Sequence, residues 1–454
     1  MRICQIDPNF VHQANDGTLG ALARAKALGF DHVLLAGASP LHTPPETLAA
    51  MAAHCRAQGL GCLLELALDR YPDGAAPIDP GWRHDGAMPD PRDTDNHLPG
   101  ARLRWHDEGV AAALVSWWTE RLQGLAELDI AGYVCRAPAR VAGRHWGKLI
   151  AALKGAGAGG KHGEARRPPL MLAWTPGTSP AQLADLAGGG SGGGSGAGFD
   201  GAFCSLPWWD YRSPWLAEEI ARLRPFGAVL AAPAMQARGL DALAARRALW
   251  TAAALGDGIL VPAGFECGGG DCDDDPPRDQ ARDQGRGQAA EQSRDRHGGR
   301  DGDADPELSY DLSHELIHAN AWIAARGPAP ALAVRQLSGA DGALVALARL
   351  PMPAAGAPLP LAIVINPDLQ QPASLGADRI LSALPHGAGT LLAADGGPGG
   401  GVEPGTLLDA LDNITLAPAG VQLFHAAPSA ALAEPARREG KRFGASVRAA
   451  LERS

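Results

Sequence analysis

Short apolar runs alternate along this chain with longer segments of helical period. Eight runs read as strands: Arg2–Ile6, His32–Leu35, Gly61–Leu66, Ile130–Cys135, Leu170–Ala173, Gly201–Cys204, Gly227–Ala231 and Gly258–Pro262. Such runs, alternating with helical segments, suggest parallel β/α units. Between them the pattern predicts helices over Leu19–Leu28, Pro45–Ala57, Glu108–Leu128, Trp146–Leu153 and Leu240–Leu255, with another at Ser313–Ala325. Eight β/α units in series count to a closed (β/α)8 barrel of the α/β class. From about Ala331 the texture changes. Ala343–Leu350, Leu361–Asn366, Gly389–Ala393, Asn413–Leu416 and Val421–His425 are short strands between Pro/Gly turns, with no helical period. They predict a C-terminal antiparallel β-sandwich.

The expected layout is a barrel over 1–328, a sandwich over 329–430 and a charged, helix-prone tail over 431–454. Three stretches interrupt the barrel pattern. Residues 154–168 are Gly-rich and basic, and 188–198 (GGGSGGGSGAG) has linker composition. Residues 267–306 are dense in Asp, Arg, Gln and Gly, too polar to offset their own ordering entropy. The acids of Asp271–Asp275 lack the EF-hand spacing and its terminal Glu, so they read as a solvated loop.

Composition narrows the classes. At 46% hydrophobic residues over 454 positions, the chain can bury a large core and a smaller one. A net charge of -10 argues against a general nucleic-acid surface. No uninterrupted apolar stretch suits a membrane span, and the N-terminus lacks a signal-peptide pattern. The seven cysteines are scattered without a CxxC pair, so a reduced, cytoplasmic protein is expected.

Several segments resemble the α-amylase superfamily, most of all its maltosyltransferase branch, which extends α-1,4-glucans from maltose 1-phosphate. The most specific is GFDGAFCSLPWWDYRSPWLAEE at Gly198–Glu219, similar to that branch's sixth-strand segment. GILVPAGFECG at Gly258–Gly268 resembles the eighth strand and its Pro-x-Gly-Phe-Glu turn. LLELALDRYPDG followed by DPGWRHDG, within Gly59–Gly86, is similar to the third-strand end, and DLSHELIHAN at Asp311–Asn320 to the barrel-closing helix. Val421–His425 resembles the last strand of the family's sandwich.

The resemblance implies a retaining α-glucan glycosyltransferase or hydrolase. Such an enzyme needs a nucleophilic and an acid/base carboxylate about 5–5.5 Å apart at the strand C-termini, with a third acid holding the distorted sugar. The three places are filled otherwise here. Gly132-Tyr133-Val134-Cys135-Arg136-Ala137 puts Arg136 where the nucleophile belongs, and Trp174 stands in the acid's place. The seventh-strand stretch Ala231–Arg238 holds neither acid nor His, and Met235 falls near the third position. A guanidinium cannot attack an anomeric carbon, and an indole cannot protonate a leaving oxygen. The resemblance therefore implies a catalytically inactive relative in α-glucan (glycogen or maltose 1-phosphate) metabolism. It would bind α-glucan or maltose-type sugar, or scaffold an active relative or a downstream domain. No cofactor, metal, nucleic acid or membrane enters this reading.

Candidate sugar contacts are Glu65, Asp69 and Arg70 at the third strand, Trp208, Trp209 and Asp210 at the sixth, Arg238 and Glu266. Each has a plainer reading: buried aromatic core for the tryptophans, a filling ion pair between Glu65 and Arg136, a turn cap for Glu266, an exposed salt bridge for Arg238. Trp117 and Trp118 read as core; Trp82 and Trp105 fall beside the third loop. Two rival readings stand. One is an active transferase or hydrolase using relocated acids among Glu65, Asp69, Asp210 and Glu266. The other is a zinc protease, since His314-Glu315-Leu316-Ile317-His318 is literally an H-E-x-x-H match.

Overall fold

A computed structural model of the chain describes residues 1–6, 16–71, 78–84, 100–156, 167–188, 196–268, 310–326, 333–351, 359–384, 388–394, 397 and 399–427. The tail over 431–454, Asp271–Asp275 and most of the three interrupting stretches lie outside them. Within the second stretch, Gly196–Gly198 forms a 3-10 turn.

Eight parallel strands close into a barrel: β1 (Arg2–Ile6), β2 (His32–Leu35), β3 (Gly61–Leu66), β4 (Gly132–Cys135), β5 (Leu170–Ala173), β6 (Gly201–Phe203), β7 (Ala228–Ala231) and β8 (Gly258–Pro262). Each strand pairs with its neighbours in sequence, and β1 closes on β8. Helices α1 (Asp16–Ala27), α2 (Pro45–Ala57), α3 (Glu108–Gly124), α4 (Gly143–Ala156), α5 (Pro180–Gly188), α6 (Trp215–Leu223), α7 (Ala242–Leu255) and α8 (Ser313–Arg326) follow strands β1 to β8 in turn. The apolar character of these runs is explained by the two faces they serve. Ile3, Leu34, Leu63, Val134, Leu172, Phe203, Leu230 and Leu260, one from each strand, fill the barrel interior. Their strand neighbours, such as Cys4, Val33, Leu64 and Val229, pack outward under the helices.

Parallel strands this close leave no room for a side chain at some entry positions. A Cβ on Gly132 would lie 2.4 Å from the Leu170 carbonyl oxygen and 2.8 Å from the Leu170 amide nitrogen. The obstructing atoms are the backbone and Cβ of Leu170, which no change of rotamer moves aside. Gly132→Ala is therefore expected to destabilise the fold by about 1–3 kcal/mol, read as a lower urea midpoint at unchanged slope.

Beyond the barrel, β9 (Ala333–Gln336), β10 (Val345–Leu350), β11 (Leu361–Ile365), β12 (Ala373–Gly376), β13 (Thr390–Ala393), β14 (Leu407–Leu408), β15 (Asn413–Leu416) and β16 (Val421–Ala427) form two antiparallel sheets. The larger has the order β9-β10-β11-β16-β13-β14, and β12 pairs with β15. One helix, α9 (Ala377–Ala383), lies between β12 and β13 and buries Ala377, Ile380 and Leu381. This corrects the expectation of no helical period there: two turns are too short to impose a visible repeat.

The barrel and this sheet meet at a charged seam. Arg349 on β10 is fully buried and donates to the carbonyls of Ala254 (3.2 Å) and Gly256 (2.7 Å), and it pairs with Asp257. Asp257 also pairs with Arg224 and accepts the Val229 amide at 2.8 Å. Arg326 at the end of α8 donates to the same turn, at 2.6 Å to the Gly256 carbonyl.

Cys4, Cys55, Cys62, Cys135 and Cys204 are free, buried thiols. Cys267 is disulfide-bonded, which departs from the expectation of a wholly reduced set. Among the described residues no helix is long and apolar enough to cross a membrane.

Candidate functional site at the barrel mouth

Side chains alternate along a strand, so positions two beyond the interior ring also face inward, one layer nearer the C-terminal mouth. On β3 that residue is Glu65, two after Leu63. Past β4 it is Arg136, and past β5 it is Trp174. The parallel ladder continues just far enough to fix them: the Arg136 amide donates to the Leu66 carbonyl at 2.8 Å, and the Trp174 amide to the Cys135 carbonyl at 2.9 Å. The next residue, Ala137, has φ 45°, and turns the chain out of the barrel.

These three side chains touch. The Arg136 guanidinium lies over the Trp174 ring, 4.6 Å from its centroid. Its Nε is 3.7 Å from Glu65 Oε1, a charge contact too long for a hydrogen bond. Glu65 in turn accepts the Gly37 amide at 3.1 Å. Trp174 is buried against Phe203, with ring centroids 4.9 Å apart. The third family position is arranged differently. On β7 the inward place at the strand end belongs to Ala232, which packs with Trp174 in the interior cluster. Met235 stands three residues further on, exposed in the loop.

Asp69 is buried and held between Arg140 at 2.8 Å and Arg70 at 3.5 Å. Its loop is pinned by backbone: Leu103 donates its amide to the Asp69 carbonyl at 2.8 Å, and the Trp105 indole donates to the Leu68 carbonyl at 2.7 Å. His145 lies buried beside Trp105, and burial pulls its pKa down, which favours the neutral ring. Glu266 is buried too, with its carboxylate on Arg24 of α1 at 2.8 Å. Arg24 also reaches the Ser313 hydroxyl, and the Glu266 carbonyl accepts the Leu312 amide, so this acid ties α1 to the start of α8.

The tryptophan pair divides as adjacent residues in a turn do. Trp209 is buried, donates its indole N–H to the Ser213 carbonyl at 2.8 Å and packs on Tyr211. Trp208 is 46% exposed. Asp210 caps the turn, accepting the amides of Arg212 and Ser213 and the Ser213 hydroxyl. Arg238 is exposed in the loop after β7. Trp118 is fully buried and Trp117 half-buried on α3. On α8, His314 and His318 face each other at 6.2 Å, but Glu315 is paired with Arg246 and the His318 ring meets Trp250 edge-on. Among the described residues no group of three His, Cys, Asp or Glu side chains could hold a metal ion.

Sequence reasoning passed over Glu219. It sits on α6 and accepts the Ser205 amide at 2.8 Å and the Ser205 hydroxyl at 2.6 Å. Burial pushes its carboxyl up, against those hydrogen bonds. The signal was available: Leu216, Glu219, Ile220 and Leu223 share one helical face, and an acid on an apolar face is out of pattern.

No protein-family model matches the chain. It is 34% identical over 286 residues to the α-1,4-glucan:maltose-1-phosphate maltosyltransferase of Burkholderia pseudomallei (strain K96243). That match takes in 54% of this chain and 24% of the relative, so the chain spans about a quarter of that protein's length. Among solved structures it is similar to AmyP in complex with maltose, with a TM-score of 0.57 at 14% identity, covering 95% of this chain and 97% of that one. It is also similar to the α-amylase of Geobacillus thermoleovorans complexed with acarbose, with a TM-score of 0.54 at 14% identity, covering 93% and 98%. At those identities the likeness is one of fold.

Proposed function

We propose that this chain, a member of the α-amylase superfamily with affinity for its maltosyltransferase branch, binds α-glucan or maltose-type sugar without cleaving it. It would act in glucan metabolism as a binding or scaffolding partner, with an active relative or a further domain as its counterpart.

The observation that carries this reading is the contact of Arg136 with both Glu65 and Trp174 at the barrel mouth. Retaining cleavage needs a free carboxylate to attack the anomeric carbon and a protonated one to release the leaving oxygen. Arg136 supplies neither, and its fixed positive charge opposes the oxocarbenium-like transition state. The mouth acid Glu65 faces that cation. Asp69 is likewise held by two arginines, and Glu266 by Arg24. The rival reading, catalysis by relocated acids, requires two of these to be free and about 5–5.5 Å apart.

Incubating the purified protein with maltose 1-phosphate and a maltooligosaccharide acceptor should release no phosphate above the no-enzyme rate, and α-glucan alone should not be shortened. Calorimetry with maltooligosaccharides should still register heat of binding. Turnover that disappears in Glu65→Gln or Asp69→Asn would sink the proposal in favour of relocated carboxylates.

A further inference from the structure

We propose that the cleft between α6 and the turns following β5 and β6 is a second, off-axis site that takes a single neutral hexose unit, with Trp208 as its stacking face and Glu219 as its hydroxyl acceptor. It stands whether or not the barrel mouth binds sugar, because the cleft shares no residue with Glu65, Arg136 or Trp174.

The cleft is a cavity of about 300 Å³ whose walls include Gly177, Thr178, Trp208, Trp215, Glu219 and Arg222. That volume lies at the small end of ligand sites. The chain builds it by leaving the sheet after Phe203 and making a 3-10 turn over Leu206–Trp208. Trp209 goes into the core, and Trp208 is left with nearly half its surface in water, on the wall of the cavity. A flat indole with one open face matches the apolar C–H face of a pyranose ring.

The polar end is organised by backbone. The Gly177 amide donates to Ser205 Oγ at 3.2 Å, and the Ser205 hydroxyl donates to Glu219 Oε1 at 2.6 Å. The Ser205 amide donates to Oε2 at 2.8 Å. Each carboxylate oxygen thus has one donor, while a carboxylate can accept about four. Spare acceptor capacity therefore faces the cavity from a carboxylate that is already fixed in place. Burial raises the Glu219 carboxyl above its ordinary range, and the two Ser205 donors oppose that rise.

Charge selects a neutral ligand. Glu219 repels anions, and Arg222, one turn along the same helix and 3.6 Å from Glu218, balances it. Ring hydroxyls, which both donate and accept, suit this mixture better than a phosphate or an ammonium group does.

The test is a maltose titration of the full chain carrying 15N in its tryptophan indoles, with the Trp208 signal assigned by its loss in Trp208→Phe. The Trp208 indole resonance should move saturably. Glu219→Gln keeps the shape and can still pair with Ser205, so a thermal melt should show it folded. It should weaken the Trp208 response about tenfold, the loss of one hydrogen bond to a charged acceptor. Arg136→Ala, shown folded by the same melt at the titration temperature, should leave the response unchanged. A Trp208 signal that stays put at saturating maltose, or that moves equally in Glu219→Gln, or that is lost in Arg136→Ala, overturns the proposal.

Discussion

Asp257→Asn is expected to be among the most damaging single substitutions in this chain, lowering stability by about 3–5 kcal/mol, the usual cost of stranding a buried charge. The reason is the number of cations that depend on one carboxylate. Arg349 and Arg224 both pair with Asp257. Arg349 is buried to 2%, and burial pulls its guanidinium down to about 10 even with that partner present. Arg326, whose guanidinium burial also pulls down, donates to the same turn at the Gly256 carbonyl. Asparagine keeps an oxygen for the Val229 amide, so the substitution isolates charge from shape. Urea unfolding should show the lowered midpoint. Arg349→Met added to Asp257→Asn should recover part of the loss, since the stranded cation is then gone. A cost below about 1 kcal/mol for Asp257→Asn would mean that the Ala254 and Gly256 carbonyls suffice to neutralise Arg349.

That seam marks the limit of what the sequence discloses. Buried parallel strands write themselves as short, mainly apolar runs, so β1, β2, β3, β5 and β8 are legible to the residue. The strand β9 is not, because its pattern of one buried residue among exposed and half-buried ones resembles a loop. Asp257 and Arg349 lie 92 positions apart, and nothing local in either segment says that they meet.

The site divides along the same line. The alignment of motifs places Arg136 and Trp174 at the mouth, because strand ends define the mouth. The pairing of Glu65 with Arg136 could be weighed as a way of filling an emptied site, since adjacent strands put both in the same layer. Where backbone turns decide, sequence reasoning does less well. For Glu266 the sequence offers a sugar contact or a turn cap, and nothing local in it shows the buried tie that this residue makes between α1 and α8. Met235, which the sequence sets near the third carboxylate position, lies in the loop, because the ladder stops at Ala231 and the inward place falls to Ala232. The Trp208 and Trp209 pair could not be split until the 3-10 turn showed which indole faces out.

Arg136→Asp puts the family's nucleophile type back and is expected to restore no glycosyl transfer, while costing on the order of 3 kcal/mol of stability. Three interactions change together. The cation over the Trp174 ring is removed, the charge contact with Glu65 is lost, and a second carboxylate takes its place in the same layer. Two acids facing one another in a largely buried site repel where a pair once attracted. The chemistry gains little in exchange. Trp174 still occupies the acid's place, buried against Phe203, and an indole offers no proton to a leaving oxygen. A carboxylate that attacks without an acid opposite it completes half of a two-carboxylate mechanism. The measurements are a thermal melt and a phosphate-release assay with maltose 1-phosphate. A variant that melts lower and stays silent supports the reading that the whole constellation has been replaced. Measurable transfer by Arg136→Asp would show that a general acid other than residue 174 already stands at the mouth, and that Arg136 alone had been blocking it.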